Sequence, residues 1–341
     1  MSKAAQLDRD AVRIGDLMIG HGLPVVVIGG EDARWLRLPA DGDSPETRAG
    51  GASDKAAAET AAETAGDGVG EARARWAGPL LVEPSSAADL PAVARHADAV
   101  VLGPAWAREP GLVRAAARLG LPVIIQRGSD QRGHAATPEE WLAAADHCAD
   151  EGNEAIVLCE GGGRTEPAAS VLGLAPDSAP DLAVVRAARE RTGRPVLAAL
   201  GRDGGLAGAA VAAGADGLLL DPAAPPEARA AAGEAATVLA ALLRPQSPRT
   251  LTEARGEIDR VDAALAVLLE RRALLAARIQ RLKPVGGFRG RDMERERRLV
   301  AGMARRAPRL GVRRLAPIMN AVIEAGLHAA EEERARDRDG G

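Results

Sequence analysis

Aromatic side chains are almost missing from this chain: 341 residues contain four Trp, one Phe and no Tyr. With 46% hydrophobic residues a sizeable core is affordable, but it has to be built from Ala, Val and Leu. The lack of rings, together with cations interleaved among Glu and Asp, argues against a nucleic-acid surface, which stacks bases on aromatic side chains. Cysteine is scarce too: Cys148 and Cys159 fit neither a disulfide framework nor a zinc pattern. No apolar run reaches membrane-spanning length, and the N-terminus lacks a signal-peptide core, so a cytoplasmic protein without a membrane partner is expected. Lysine is limited to Lys3, Lys55 and Lys283, which draws attention to the last of these.

The overall charge of −4 conceals two halves of opposite sign. After Pro248 there are 21 Lys and Arg against 14 Asp and Glu, a net +7, which leaves −11 on the remainder. Within the basic part, Ile258, Val261, Leu265, Leu268, Leu275, Ile279 and Leu282 recur at alternating three- and four-residue spacing. That is the seam of a long helix packed on other helices. Arg272 interrupts it where another Leu would stand, and a guanidinium there is costly unless an anion meets it. Lys283 follows at the helix end, and Asp292-Met-Glu-Arg295-Glu-Arg opens a second helix with Leu299 and Met303. Cations converging on a partly apolar helical interior suit a small, multiply anionic ligand.

The rest of the chain reads as strands and helices in alternation. Short strands occupy 12–28, and 39–77 has no apolar period, so it is expected to be mostly flexible, with room for an Ala-rich helix around 54–65. From Gly78, strand-like runs at 80–82, 99–102, 123–125, 155–158, 196–199 and 217–220 alternate with helical stretches. With 24–28 and 34–38 they make eight strands, the rhythm of an α/β protein of the (β/α)8-barrel type spanning 1–245. One joint resists this: Ile28 to Arg34 is too short for a crossover between parallel strands. Either the barrel lacks its first helix and is rearranged, or the second strand is misplaced. Residues 244–250 read as a linker to an all-helical module at 251–335, with a frayed charged tail after 331.

The segments Gly22-Leu-Pro-Val-Val-Val-Ile28, Thr137-Pro-Glu-Glu-Trp141, Glu151-Gly-Asn-Glu-Ala-Ile-Val-Leu-Cys159-Glu160 and Gly214-Ala-Asp-Gly217 resemble type I DAHP synthases. That family condenses phosphoenolpyruvate with erythrose 4-phosphate at a divalent metal in a (β/α)8 barrel. The resemblance places Glu31, Arg202, Asp221 and Ala232 where the family has its Cys, His, Glu and Asp metal ligands. It places Gln126 where the family has its phosphoenolpyruvate-binding Lys, Ala40–Pro45 at its Lys-Pro-Arg-Thr-Ser-Pro loop, and Gly161 at the Arg after Cys-Glu. Arg127, Glu160 and Arg164 are retained, and can equally be structural pairs at strand ends. A site for a metal and two phosphorylated anions needs ligands and cations together, so the barrel is expected to be non-catalytic and without metal or cofactor. Gly161-Gly-Gly163 is not followed by Lys-Ser/Thr and reads as a plain loop.

Residues 251–333 resemble an AroQ-type chorismate mutase, through Ala254-Arg255-Gly-Glu-Ile-Asp259-Arg-Val-Asp262, Leu268-Leu-Glu-Arg271-Arg272, Lys283 and Arg291-Asp292-Met-Glu-Arg295-Glu-Arg. The family is an intertwined all-helical homodimer converting chorismate to prephenate. A Claisen rearrangement needs no nucleophile, metal or cofactor, only a clamp on the dicarboxylate and stabilisation of charge on the breaking ether oxygen. The resemblance implies that Arg272 and, from the partner subunit, Arg255 clamp carboxylates; that Lys283 serves the ether oxygen; that Asp292 accepts from the substrate hydroxyl; and that Arg295 supports the site. Asp292 can also be a helix cap, and Arg255 and Arg295 surface charges. The third helix departs from the family: Gly326 and Ala330 stand where it has a Ser and a Gln, with Glu331 adjacent. A Glu331 acting as donor must be protonated, which favours low pH. Pro317 is tolerable if that helix starts near Ala316.

The expected function is therefore chorismate mutase with a scaffolding or regulatory barrel. The alternatives are an enzyme for 4-amino-4-deoxychorismate or isochorismate, and a non-enzymatic binder that regulates a separate, genuine DAHP synthase.

Overall fold

The computed structural model describes residues 11–39, 68–127, 136–161, 179–244, 247–282 and 290–339. The chain divides into two compact units, Met1–Arg260 and Val261–Gly341. The division falls inside one 32-residue helix, beyond the expected 244–250 linker. The helix runs unbroken for roughly 48 Å, so the residues before it lead into it without marking the change of unit.

The first unit opens with an antiparallel hairpin, β1 (Ala11–Ile14) and β2 (Leu17–Gly20). Eight parallel strands follow: β3 (Val26–Ile28), β4 (Arg34–Arg37), β5 (Leu80–Glu83), β6 (Ala99–Leu102), β7 (Val123–Arg127), β8 (Ile156–Glu160), β9 (Val196–Gly201) and β10 (Gly217–Leu220). Their order is β3-β10-β9-β8-β7-β6-β5-β4, and a single parallel bridge between Ile28 and Ala33 brings the two ends together. This is an eight-stranded parallel barrel, nearly closed. Strands buried on both faces need continuous apolar runs, and alternate residues supply the two sides. Val26, Ile28, Trp35, Leu81, Val101, Ile124, Val157, Leu197 and Leu219 fill the inside, joined by Val12, Ile14 and Ile19 of the hairpin. Val27, Val82, Val100, Leu102, Ile125, Leu158, Val196 and Leu218 face the helices.

The short joint between the first two strands is explained by stagger. Ile28, the last residue of β3, lies level with Ala33, the residue before β4. The chain therefore never returns to the start of the barrel; β4 begins at the height where β3 stops, and no crossover helix is needed. The five-residue joint is held by Gly29 N donating to Ala33 O at 2.8 Å and Val27 N donating to Asp32 Oδ2 at 2.6 Å. Gly29 has φ +81°, and a Cβ there would meet the Leu220 carbonyl oxygen at 2.4 Å, so only glycine fits.

Helices cover the outside: α1 (68–75), α2 (Leu90–His96), α3 (Pro110–Ala117), α4 (Pro138–Asp150), α5 (Leu182–Thr192), α6 (Ala207–Ala213) and α7 (Pro226–Leu243). Their buried faces are mostly alanine, which lets them lie close to the strands. Trp141 of α4 is the one large ring fully buried beneath them, with Nε1 donating to Ile125 O at 2.9 Å. Helix α1 is an ordered element, not among those expected, within the 39–77 stretch expected to be mostly flexible. Val69 is completely buried, Arg73 donates to His96 O and Gly78 O and pairs with Asp98, and Trp76 lies under the Arg34 guanidinium at 4.9 Å. Two of those partners, His96 and Asp98, are far away in sequence, so a local apolar period was never required. The proposed helix at 54–65 lies outside the described residues. Arg244 anchors the end of α7 through Asp216 at 3.0 Å and Ala215 O at 2.6 Å.

The C-terminal part comprises α8 (Leu251–Leu282), α9 (Met293–Arg306) and α10 (Gly311–Asp339). Val300, Leu315 and Met319 form a small core with Leu299, Met303 and Val322. Helix α10 starts at Gly311, not near Ala316, so Pro317 lies inside it. Burial of Leu315 holds the preceding turn helical despite the hydrogen bond that Pro317 cannot make. Among the described residues, no helix is long and apolar enough to cross a membrane.

Candidate functional site

Two places concentrate functional side chains. In the helical part, Arg272 is half-buried on α8 with Nη1 3.4 Å from Val322 O of α10. A Cβ added at Gly326 would lie 3.7 Å from that nitrogen and 3.7 Å from Ala276 Cβ. Gly326 and Ala330 are buried, whereas Glu331 is exposed and turned to another face of α10. The guanidinium thus stands beside small side chains, with a weak contact to a carbonyl of α10.

Asp292 is the N-cap of α9, accepting from Glu294 N at 3.1 Å and Arg295 N at 2.9 Å. These backbone donors, that of Arg295 foremost, hold its carboxyl below the usual range. Arg295 and Arg255 are both exposed. Arg255 and Arg272 share one rigid helix, 17 positions apart, and so stand roughly 25 Å from each other along its axis. Lys283 lies outside the described residues.

Residue spacing does not reveal the anchor of this region. Arg291 donates to Glu296 at 2.7 and 3.0 Å, to Asn320 Oδ1 at 2.7 Å and to Glu324 at 3.4 Å, tying the start of α9 to α10. Glu296 is held below its ordinary range mainly by the Arg291 hydrogen bonds, with Arg272 adding attraction. The Asn320/Glu324 pair at i,i+4 was the readable half of this signal.

The α8 seam expected to pack on other helices is exposed within the protomer. Ile258 is 59% exposed, Leu275 63% and Leu282 79%, with Val261, Leu265, Leu268 and Ile279 also open. Among the described residues of one chain, nothing covers this stripe.

The second place is the C-terminal mouth of the barrel, the end at which (β/α)8 barrels carry their sites. Arg37 Nε meets Glu83 Oε2 at 2.9 Å and Arg37 Nη1 meets Asp221 Oδ2 at 3.3 Å. Burial raises the Glu83 carboxyl above its ordinary range, and Arg37 offsets part of that rise. Behind them, Arg127 Nη1 contacts both carboxylate oxygens of the fully buried Glu160 at 2.9 Å, and its Nε donates to Ala136 O. Arg127 and Glu160 are thus partners at adjoining strand ends; Arg164 lies outside the described residues. A cleft of about 270 Å³ opens between α4 and residues 104–110, lined by Arg108, Gln126, Arg127, Trp141 and His147 among others.

These residues do not fit a divalent metal. Of the four positions matching the family's ligands, Ala232 is buried in α7 and has no donor, Arg202 is a cation bonded to Ala223 O, Glu31 is exposed, and Asp221 is already paired. Among the described residues no three His, Cys, Asp or Glu side chains converge on one point. The thiols are equally unsuited: burial pushes Cys148 up to about 12 and Cys159 well above its ordinary value.

Comparison with known proteins matches both halves. Residues 254–330 match the family model "Chorismate mutase type II" and residues 67–198 match "DAHP synthetase I family". One chain therefore carries a DAHP synthase-like region followed by a chorismate mutase type II region. A phospho-2-dehydro-3-deoxyheptonate aldolase of Thermotoga maritima is 33% identical over 140 residues, covering 39% of this chain and 38% of that relative's length. The crystal structure of a DAHP synthase from Thermotoga maritima aligns with TM-score 0.45 and 26% identity over 61% of this chain and 63% of that one. A truncated 3-deoxy-D-arabino-heptulosonate 7-phosphate synthase from the same organism gives 0.45 and 25% over 62% and 79%. The fold assignment rests on strand order, not on these structural likenesses.

Proposed function

We propose that the chain is a chorismate mutase whose catalytic unit is a homodimer of the helical part, and that the barrel is non-catalytic and serves as scaffold or regulator. The observation that carries this reading is Arg272 on an otherwise apolar, uncovered helix seam, beside Gly326 and Val322 O. A second α8 laid on that seam would bury the leucines and turn the guanidinium towards an enclosed space. Arg255 can join Arg272 only from the partner subunit, since the two are held far apart on one helix. Together they supply the two planar, bidentate carboxylate clamps that a dicarboxylate in its compact conformer requires. Lys283, Asp292 and Arg295 complete the set by resemblance.

Incubating the full-length protein with chorismate and identifying the product tests this reading, with Arg272→Ala as control. Prephenate formed by the native chain and lost in the variant supports it; no prephenate at any protein concentration sinks it. Isochorismate and 4-amino-4-deoxychorismate, offered in competition, test the substrate.

The absence of a donor at Gly326 and Ala330 favours a second reading, in which the pocket binds chorismate or prephenate without turnover and regulates a separate DAHP synthase. Tight calorimetric binding without product, and co-purification with such a synthase, would select it.

A further inference from the structure

We infer that Arg37 is the barrel's built-in cation: its guanidinium clasps the mouth between β4 and β10 and occupies the place where two converging carboxylates would otherwise draw a divalent ion. The topology supplies the first reason. Because β3 stops at Ile28, level with Ala33, the upper part of β4 has no β3 beside it, and the next strand round the ring is β10. Across that gap in the ladder the structure places the ion pair between Arg37, the last residue of β4, and Asp221, immediately after β10. Where backbone pairing has run out, a side chain closes the ring.

The setting of each partner supplies the second reason. Asp221 is oriented before Arg37 reaches it, since its Oδ1 accepts from Ala223 N at 2.8 Å and leaves Oδ2 for the guanidinium. Glu83 is seated against β6 at a glycine: a Cβ on Gly103 would lie 2.4 Å from Glu83 Oε1. The guanidinium lies over the Trp35 ring at 4.7 Å, so the cation is held by two carboxylates and an aromatic face at once. Two carboxylates from different strands aimed at one point are hard-cation ligands, of the kind that hold Mg²⁺ or Mn²⁺ with water completing the shell. Here a covalently attached cation fills the point between them, and it cannot dissociate or exchange.

The inference does not depend on whether the helical part turns chorismate over, and its test reads a different quantity. Full-length protein is titrated with Mn²⁺ by calorimetry, and its melting is followed in EDTA and in millimolar Mn²⁺. The native chain should show no stoichiometric Mn²⁺ heat that Asp221→Asn removes, and equal melting midpoints in the two media. Arg37→Gln should lower the midpoint by about 2–4 °C in EDTA, and Mn²⁺ should restore part of it. The restoration should vanish in Arg37→Gln/Asp221→Asn. Arg37→Lys, which keeps the charge but loses the fork, should fall between native and Arg37→Gln and remain indifferent to Mn²⁺; it carries the test if Arg37→Gln does not fold. One Mn²⁺ bound per native chain and lost with Asp221→Asn overturns the inference. So does an Arg37→Gln protein whose melting, in either medium, is that of the native chain, or one whose loss Mn²⁺ leaves untouched.

Discussion

The barrel and the helical part solve the same problem, the placement of apolar and charged groups, in opposite ways. In the barrel most apolar residues are enclosed, Leu242 and Leu243 excepted, and its charges have partners within the same fold: the buried Arg127 with Glu160 and Arg244 with Asp216, the half-exposed Arg37 with Glu83 and Asp221. In the helical part a full seam of Leu, Ile and Val faces outward, and Arg272 touches the carbonyl of Val322 and attracts Glu296 from a distance. A self-satisfied fold has little left over with which to bind. An unsatisfied one leaves groups free to be met from outside, and the proposed function supplies a second helix and an anion for them. That contrast, more than any single residue, is what supports the proposal of mutase activity for the smaller part.

The contrast can be broken most sharply at Arg272. Its replacement by Ala should reduce kcat/KM for chorismate by roughly 10²–10³-fold, with the melting of the barrel unchanged; steady-state kinetics alongside calorimetry reads both. Next in size is the barrel's own buried charge. Arg127→Met should destabilise the barrel by about 3–5 kcal/mol, because it leaves the fully buried Glu160 without its bidentate partner. Denaturant unfolding measures this, and a loss below 1 kcal/mol would mean the barrel is less self-contained than described. Placing charge on the seam with Leu268→Glu should remove a dimer contact of about 1.5–3 kcal/mol per apolar side chain. Sedimentation should then show monomer where the native chain shows dimer.

The smallest effect is acid sensitivity. The folded pKa of Glu296 lies below its ordinary 4.5, so the stabilisation it gives with Arg291 is fully present above that value. It is lost as pH falls through the lower, folded value. The helical part should therefore weaken on acidification below about 4.5, and Glu296→Gln should flatten that pH dependence without affecting the barrel.

Much of the architecture was legible before any coordinates. Eight apolar runs separated by helical stretches are enough to specify a parallel barrel, and Arg272 stood out because it broke a regular seam. What escaped reading depends on groups distant in sequence. Helix α1 is held by Asp98 and His96 acting on Arg73, not by its own apolar pattern. The stagger of β3 against β4 is a matter of height along the barrel, which residue periodicity does not encode. Arg37 sits in a four-residue strand, and nothing local connects it with Glu83 or Asp221. In the helical part the exposed seam was read as packed, because periodicity reports that a face is to be covered and not by which chain.

The staggered joint also has a consequence for how the protein is made. Apart from the single bridge of Ile28 to Ala33, Val26, Val27 and Ile28 pair, among the described residues, with β10, at Gly217, Leu218 and Leu219. During synthesis these three β-branched residues leave the ribosome early and wait for almost the whole barrel to be translated before their partner strand exists. Until then the growing sheet has an open, sticky edge of the kind that invites pairing with a neighbouring chain. Closure of the ring is thus the last event of barrel synthesis, and the nascent chain is most exposed to aggregation just before it.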